Sequence, residues 1–177
     1  MSIVRRKLPE FSPGESELLG RISSYFEEHT TLIMATAGAD GAPAAAALFY
    51  AADQQLNLYF LSEEHTDHVR NLMARPLVSA TVQDDGQDWR SICGLQLRGV
   101  AGPVSRTDWP RAAAIYVRRF SFLSSILTGA ESPGALIGPL ARAKFYVLRP
   151  NWIRLIDNRV RFGHKDELWL GAPHADS

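Results

Sequence analysis

The sequence predicts a mainly β fold of the α+β kind, an antiparallel barrel that is closed or nearly closed and covered by helices. Three observations carry this expectation. Apolar residues alternate with period two over six to eight short segments. Gly, Asp, Asn and Pro punctuate those segments at regular intervals, as turns do. Helical periodicity is confined to two or three stretches, and neither an internal repeat nor a linker divides the chain. One domain, 1–177, is expected, with 1–14 as an irregular N-terminal arm.

From Ser16 to Glu28, Leu18, Leu19, Ile22, Tyr25 and Phe26 recur at helical spacing behind the capping residues Ser12 and Ser16. An amphipathic helix follows from that pattern. TLIMATA (31–37), a turn at Gly38–Gly41, PAAAALFYA (43–51), a turn at Asp53-Gln54 and LNLYFLS (56–62) then read as a three-stranded meander. The run Ala44–Ala47 favours helix on intrinsic propensity, but Pro43 before it, Phe49 and Tyr50 after it and turns on both sides leave room only for a strand. Two explanations fit small side chains there: tight packing against the N-terminal helix, or close approach of a flat ligand to backbone amides.

Thr66–Ala74 is expected to be a short helix with Thr66 as N-cap, stopped by Pro76. LVSATVQ (77–83) is a strand, Asp84–Gly86 a turn, and about Trp89 to Ser105 a long strand. Gly94, Gly99 and Gly102 interrupt it where a barrel strand bends or bulges. Thr107 caps a second long helix reaching Thr128, and Gly129–Gly138 is a loop. KFYVLRP, WIRLID, VRFG and ELWLG close the pattern as short strands, with a turn at Asp157-Asn158.

Composition excludes several function classes. With 46% apolar and 21% charged residues, neither disorder nor a disulfide scaffold fits, and the single Cys93 precludes an intrachain disulfide or a cysteine-cluster metal site. A reducing, cytoplasmic location is expected. The longest apolar stretch, Ala42–Ala52, contains a proline and falls short of the roughly 20 residues of a membrane helix, so no membrane partner is expected. Pro9 and Glu10 stand where a signal peptide would place its apolar region. Nineteen basic and nineteen acidic residues give no footprint of nucleic-acid binding. The balance conceals an asymmetry: residues 1–88 hold 6 Lys/Arg against 13 Asp/Glu and residues 89–177 hold 13 against 6, so the halves carry −7 and +7. Sixteen of the basic residues are Arg, suited to bidentate recognition of anions or to pairing across the fold with the acidic half.

The common nucleotide and hydrolase motifs, GxGxxG, P-loop, GxSxG and HExxH, are absent. The densest polar cluster is SEEHTDH (62–68), at a strand end entering a helix N-terminus, where unpaired N–H groups and the helix dipole favour an anion. Ser62, Thr66 and His68 can add contacts to a phosphate, or the segment simply caps a surface helix. His65 and His68 with nearby carboxylates allow only a weak metal reading, so no metal site is assigned. His29, His164 and His174 stand alone in sequence, and Cys93 reads as a buried strand residue. Gln96, in LQLRG, shares a face with Gly94 and Arg98 and either bonds a ligand edge or faces water.

In this order, TLIMATAGADGAPAAAALFYAADQQLNLYFLS, HTDHVRNLMARPLVSATVQ and GLQLRGVAGPVS resemble the pyridoxamine 5'-phosphate oxidase-related, FMN-binding split-barrel superfamily. The likeness spans about 16–105, and the ending WIRLIDNRVRFGHKDELWL resembles a small bacterial branch of it. The resemblance implies a six-stranded antiparallel split β-barrel with flanking helices, a homodimer, and FMN at the dimer interface. It places ring-side backbone contacts on Ala46, Ala47, Leu48 and Phe49, turn contacts on Leu61, Ser62, Thr66 and His68, and a polar ring contact on Gln96. Where the family's oxidases carry a basic pair at the phosphate this chain has Asp67 and His68, and Ile156 and His164 or Lys165 fall near the places of their C-terminal Trp and Arg. The vitamin B6 oxidase itself is therefore not expected. Either Arg70 or an Arg of the basic half, among them Arg98, Arg118, Arg119, Arg159 and Arg161, offsets Asp67, or FMN binds weakly.

The function expected is that of an FMN-dependent oxidoreductase acting on a small-molecule substrate, the cofactor doing the redox work. F420 or haem in place of FMN is the alternative cofactor, and a non-catalytic flavin or haem carrier or sensor the alternative function. A structural dimer with an empty cleft is the third reading.

Overall fold

Ser12 starts the first helix. Its hydroxyl accepts from Glu15 N at 3.3 Å while the Glu15 carboxylate accepts from Ser12 N at 2.9 Å. With Pro13 in the first turn, this capping box opens α1 (Pro13–Glu28) three residues before the expected start. The computed structural model describes residues 8–121, 123 and 142–171. In it α1 is followed by β1 (Thr31–Ala37), β2 (Pro43–Ala52), β3 (Leu58–Ser62), α2 (Asp67–Ala74), β4 (Leu77–Gln83), β5 (Cys93–Pro103), α3 (Trp109–Arg119), β6 (Lys144–Asp157) and β7 (Lys165–Trp169).

All strand pairs are antiparallel, in the order β3-β2-β1-β4-β5-β6-β7. Pairing of β3 with β6, from Leu58↔Leu148 to Ser62↔Lys144, closes the first six into a barrel. Strand β7 lies outside, paired among the described residues with β6 alone. The expected barrel with helical covers is what the chain forms.

Alternation decides what fills it. Leu32 and Met34 of β1, Leu48 and Tyr50 of β2, Val78, Ala80 and Val82 of β4, and Leu95 and Leu97 of β5 point inward with Ile22 and Phe26 of α1 and Val69 and Leu72 of α2. Each large apolar side chain buried there contributes about 1.5–3 kcal/mol. A second core lies outside the barrel, where Ala112, Tyr116 and Phe120 of α3 and its C-cap cover Ala51, Tyr59, Phe145 and Val147. Asp53 ties the two together. Its carboxylate, almost fully buried, accepts from Gln55 N, Asn57 N, Asn57 Nδ2, Tyr59 Oη and, at 2.9 Å, Arg111 Nη2 of α3.

Four local expectations are corrected. KFYVLRP and WIRLID are one strand, β6, because a β-bulge opposite Arg98 and Gly99 lets the ladder pass Pro150. VRFG is part of the β6–β7 turn, with Gly163 at φ +73°. The long strand begins at Cys93, since Trp89–Ser91 form a turn held by Ser91 N to Asp88 O. Asp108, not Thr107, holds the N-cap position of α3, which ends at Arg119 with Phe120 N–H on Tyr116 O. The expected helix tail at 124–128 and the loop at 129–138 lie outside the described residues, as do 1–7 of the expected arm. No helix among the described residues is long and apolar enough to cross a membrane.

Candidate functional site

The barrel is split along one seam. Strands β2 and β3 pair only from Ala52↔Leu58 to Tyr50↔Phe60. Beyond that point Leu61 and Ser62 keep their pairing with Phe145 and Lys144 of β6, and Pro43–Phe49 pairs with β1 and with no other strand among the described residues. Tyr50 N donates to Thr30 O and Gly38 N to Ala42 O. By the alternation of an antiparallel ladder, Ala46 and Leu48 then spend their main-chain groups on β1, and Ala45, Ala47 and Phe49 turn theirs to the open seam. Tyr116 Oη takes the Phe49 carbonyl at a long 3.4 Å.

The four expected β2 residues thus divide. Ala46 packs against the inner core and Leu48 is buried in it. Ala47 is exposed on the outer face, as is Phe49, whose ring meets Phe120 edge-on at 5.7 Å. Around them the outer face is apolar and small: Ile33 (44% exposed), Phe49 (60%) and Leu77 (61%) surround Ala35, Ala45 and Ala47.

At the other lip of the seam, three of the four expected turn residues meet. Ser62 Oγ lies 2.7 Å from His68 Nε2 and 3.2 Å from Thr66 Oγ1, and Thr66 Oγ1 lies 3.2 Å from His68 Nε2. Leu61, next to them, packs its side chain on the outer core under α3. Thr66 holds the N-cap position of α2, yet its hydroxyl donates to Glu63 O at 2.9 Å. The first-turn N–H groups of α2 therefore have no side-chain cap. Burial pushes the His68 pKa below its ordinary value, which the Asp67 charge only partly opposes, so the ring is neutral at pH 7.

The carboxylates of this loop are already paired. Arg70 closes on Asp67 within α2, Arg142 lies 3.6 Å from Glu63, and Lys144 lies 2.6 Å from Glu64. Such exposed pairs stabilise little, but they offset the negative field at the N-terminus of α2. Within one chain the residue paired with Asp67 is Arg70. Arg119 instead donates to His29 O, Arg159 binds the buried Asp157, and Arg98 lies over the Trp152 ring.

Gln96 stands three strands from Ala47 in the register row Ala47–Ile33–Thr81–Gln96 on the outer face. Its Oε1 accepts from Arg154 Nη1 at 3.3 Å, and Arg154 is clamped by Glu167 of β7, which also accepts from Trp152 Nε1. Sequence reasoning missed this Arg154–Glu167–Trp152 network. The strand register that aligns the three residues is its only signal. The metal reading of His65 and His68 finds no geometry: His65 bonds Glu63 while His68 turns to the hydroxyls, and no group of three metal-binding side chains converges among the described residues. Cys93 is a buried strand residue whose thiol pKa is pushed up by burial.

A six-stranded antiparallel barrel that opens along one seam, with a seventh strand outside, defines this protein as a split barrel. The family profile of pyridoxamine 5'-phosphate oxidase matches residues 18–135, and the chain belongs to that family. A UPF0306 protein of Klebsiella pneumoniae (strain 342) is 31% identical over 121 residues, covering 66% of this chain and 70% of the relative. Among solved structures, a haem binding protein from Mycobacterium smegmatis superposes with a TM-score of 0.65 at 17% identity, over 90% of this chain. The chain spans 60% of that protein's length. The haem storage protein HutZ from Vibrio cholerae superposes with a TM-score of 0.58 at 20% identity, over 87% of this chain and 95% of that one. At these identities the likeness is one of fold.

Proposed function

We propose that this chain is an FMN-binding flavoprotein, an oxidoreductase that acts as a homodimer on a small-molecule substrate. The observation that carries the reading is the seam itself, with main-chain groups of Ala45 and Ala47 that have no ladder partner among the described residues on one lip and the Ser62–Thr66–His68 cluster on the other. The residues fit the group. Ala45 and Ala47 offer N–H and C=O groups with no side chain large enough to hinder a flat ring, and two hydroxyls, an imidazole and the uncapped N–H groups of α2 suit a phosphate. When bound, FMN supplies hydride or electron transfer, and the protein supplies orientation and hydrogen bonds. The exposed apolar face around Ile33 and Phe49 is the surface for the second copy, a twofold contact that would enclose the seam. A cytoplasmic location belongs to this reading, and vitamin B6 oxidation does not, because Asp67 and His68 replace the basic pair.

The descriptions of the fold neighbours favour a second reading, a haem-binding barrel without turnover. The spectrum of the purified protein separates the two. A flavin absorption band with fluorescence that appears on titration with FMN is expected; a Soret band on titration with haemin and no response to FMN would overturn the flavin reading.

A further inference from the structure

The β5–β6 bulge builds a second hollow on the outer face. Arg98 pairs with Trp152 and Gly99 with Pro150, which leaves Asn151 as the extra residue. A Cβ on Gly99 would stand 2.1 Å from Arg149 O, so the two backbones approach this closely only through glycine. The hollow, about 410 Å³, is lined by Ala35, Leu77, Ser79, Arg98 and Asn151, among others, and no carboxylate among the described residues lines it.

Its polar groups are unspent. The Arg98 guanidinium lies 4.7 Å over the Trp152 ring and makes no hydrogen bond or ion pair among the described residues. Glu167, whose charge it feels, is already held by Trp152 Nε1 at 3.1 Å and by Arg154 Nη2 at 2.7 Å. Asn151 Oδ1 is buried without a partner, and Nδ2 makes no hydrogen bond among the described residues. A buried amide left unpaired costs free energy, so packing alone does not explain asparagine at the bulge. One cation, one amide and one hydroxyl beside the apolar Leu77 and Ala35 make an environment for a negative group on a small apolar frame.

We infer that this hollow is a subsite for a small organic acid, its carboxylate on Arg98 and its carbon frame against Leu77 and Ala35. The register row Ala45–Ala35–Ser79–Arg98 places it on the same face as the seam. As the substrate site of the enzyme it rests on the flavin reading above; as a binding site it does not. Benzoate is the probe, titrated by calorimetry into the full-length protein and into Arg98→Gln, an exposed substitution whose fold is checked by thermal melting. Saturable binding of one benzoate per chain, weakened at least tenfold by Arg98→Gln and absent for uncharged benzyl alcohol, is expected, with FMN affinity equal in the two proteins. No benzoate binding to the wild type, equal binding to Arg98→Gln, or equal binding of benzyl alcohol overturns the inference. Loss of FMN together with benzoate in Arg98→Gln overturns it too, by assigning Arg98 to the flavin. Benzoate binding that depends on Arg98 in a protein indifferent to FMN keeps the acid site and removes the flavin reading.

Discussion

Ser62 Oγ and His68 Nε2 lie 2.7 Å apart across the β3–α2 turn. That contact ties the end of β3 to the first turn of α2, where burial keeps the His68 pKa below its ordinary value. The pH dependence of the turn follows from it.

His68 titrates below its ordinary value of 6.5 in the folded, ligand-free chain. A depressed folded pKa means that the stability contribution is complete above the unfolded value and is lost as pH falls through the folded one. Ring-proton NMR across this range checks the value; a His68 pKa at or above 6.5 would contradict the burial that sets it. Stability measured in His68→Gln should lose less than the wild type between about pH 7 and about pH 5.

Thr66→Ala combined with His68→Ala removes two of the three groups on that lip. FMN binding should weaken at least tenfold, about 1.4 kcal/mol, a modest demand for two lost hydrogen bonds to a charged group. Flavin fluorescence titration reads the change, and an unchanged dissociation constant would move the phosphate elsewhere.

Ala46 and Ala47 are adjacent but face opposite ways. Ala46→Leu should cost about 1–3 kcal/mol by overpacking the inner core. Ala47→Leu should melt like the wild type yet lose flavin. Thermal melts and FMN titration on both variants test the pair, and normal FMN binding by Ala47→Leu would remove β2 as the ring platform.

Asp53→Ala leaves Arg111 and the amides of the β2–β3 turn without their shared acceptor. Arg111, 37% exposed, can turn to water, but the buried Asn57 and Tyr59 donors lose their acceptor, a cost of about 1–3 kcal/mol. Urea unfolding should show that loss, whereas a cost below about 1 kcal/mol would mean that α3 docks by its apolar face alone.

Phe49→Glu places a charge on the exposed apolar face. Sedimentation at low micromolar concentration should show a dimer for the wild type and a monomer for the variant. A wild-type monomer would remove the second copy from the proposed site.

Much of the fold was legible because barrel strands write their burial as alternation. TLIMATA and LVSATVQ each bury every second residue, and both strands run as expected. The errors fell where one local signal outvoted a long-range one. Pro150 suggested a break in β6, but the bulge at Asn151 absorbs it, and a bulge depends on the facing strand. Likewise the SEEHTDH segment pointed to Ser62, Thr66 and His68, whose spacing across one turn brings them together. Which lip of β2 faces the seam was not readable, because Ala44–Ala47 carry no amphipathic contrast. Nor was the pairing of Asp67 with Arg70 separable from a distant arginine by charge alone.

The β3–β6 pairing that closes the barrel also sets the order in which the chain can fold. Ser62 and Lys144 are neighbours in the ladder but stand 82 positions apart in sequence (144 minus 62). The other strand pairs of the barrel join segments closer along the chain, at most 64 positions apart for Cys93 and Asp157 (157 minus 93), and the meander β1–β3 and the ribbon β4–β5, the most local of them, can assemble first. Closing the ring then costs the entropy of a long loop before any of its contacts repay it. That closure is the step expected to limit the folding rate, and the chain cannot complete it during synthesis until β6 has emerged.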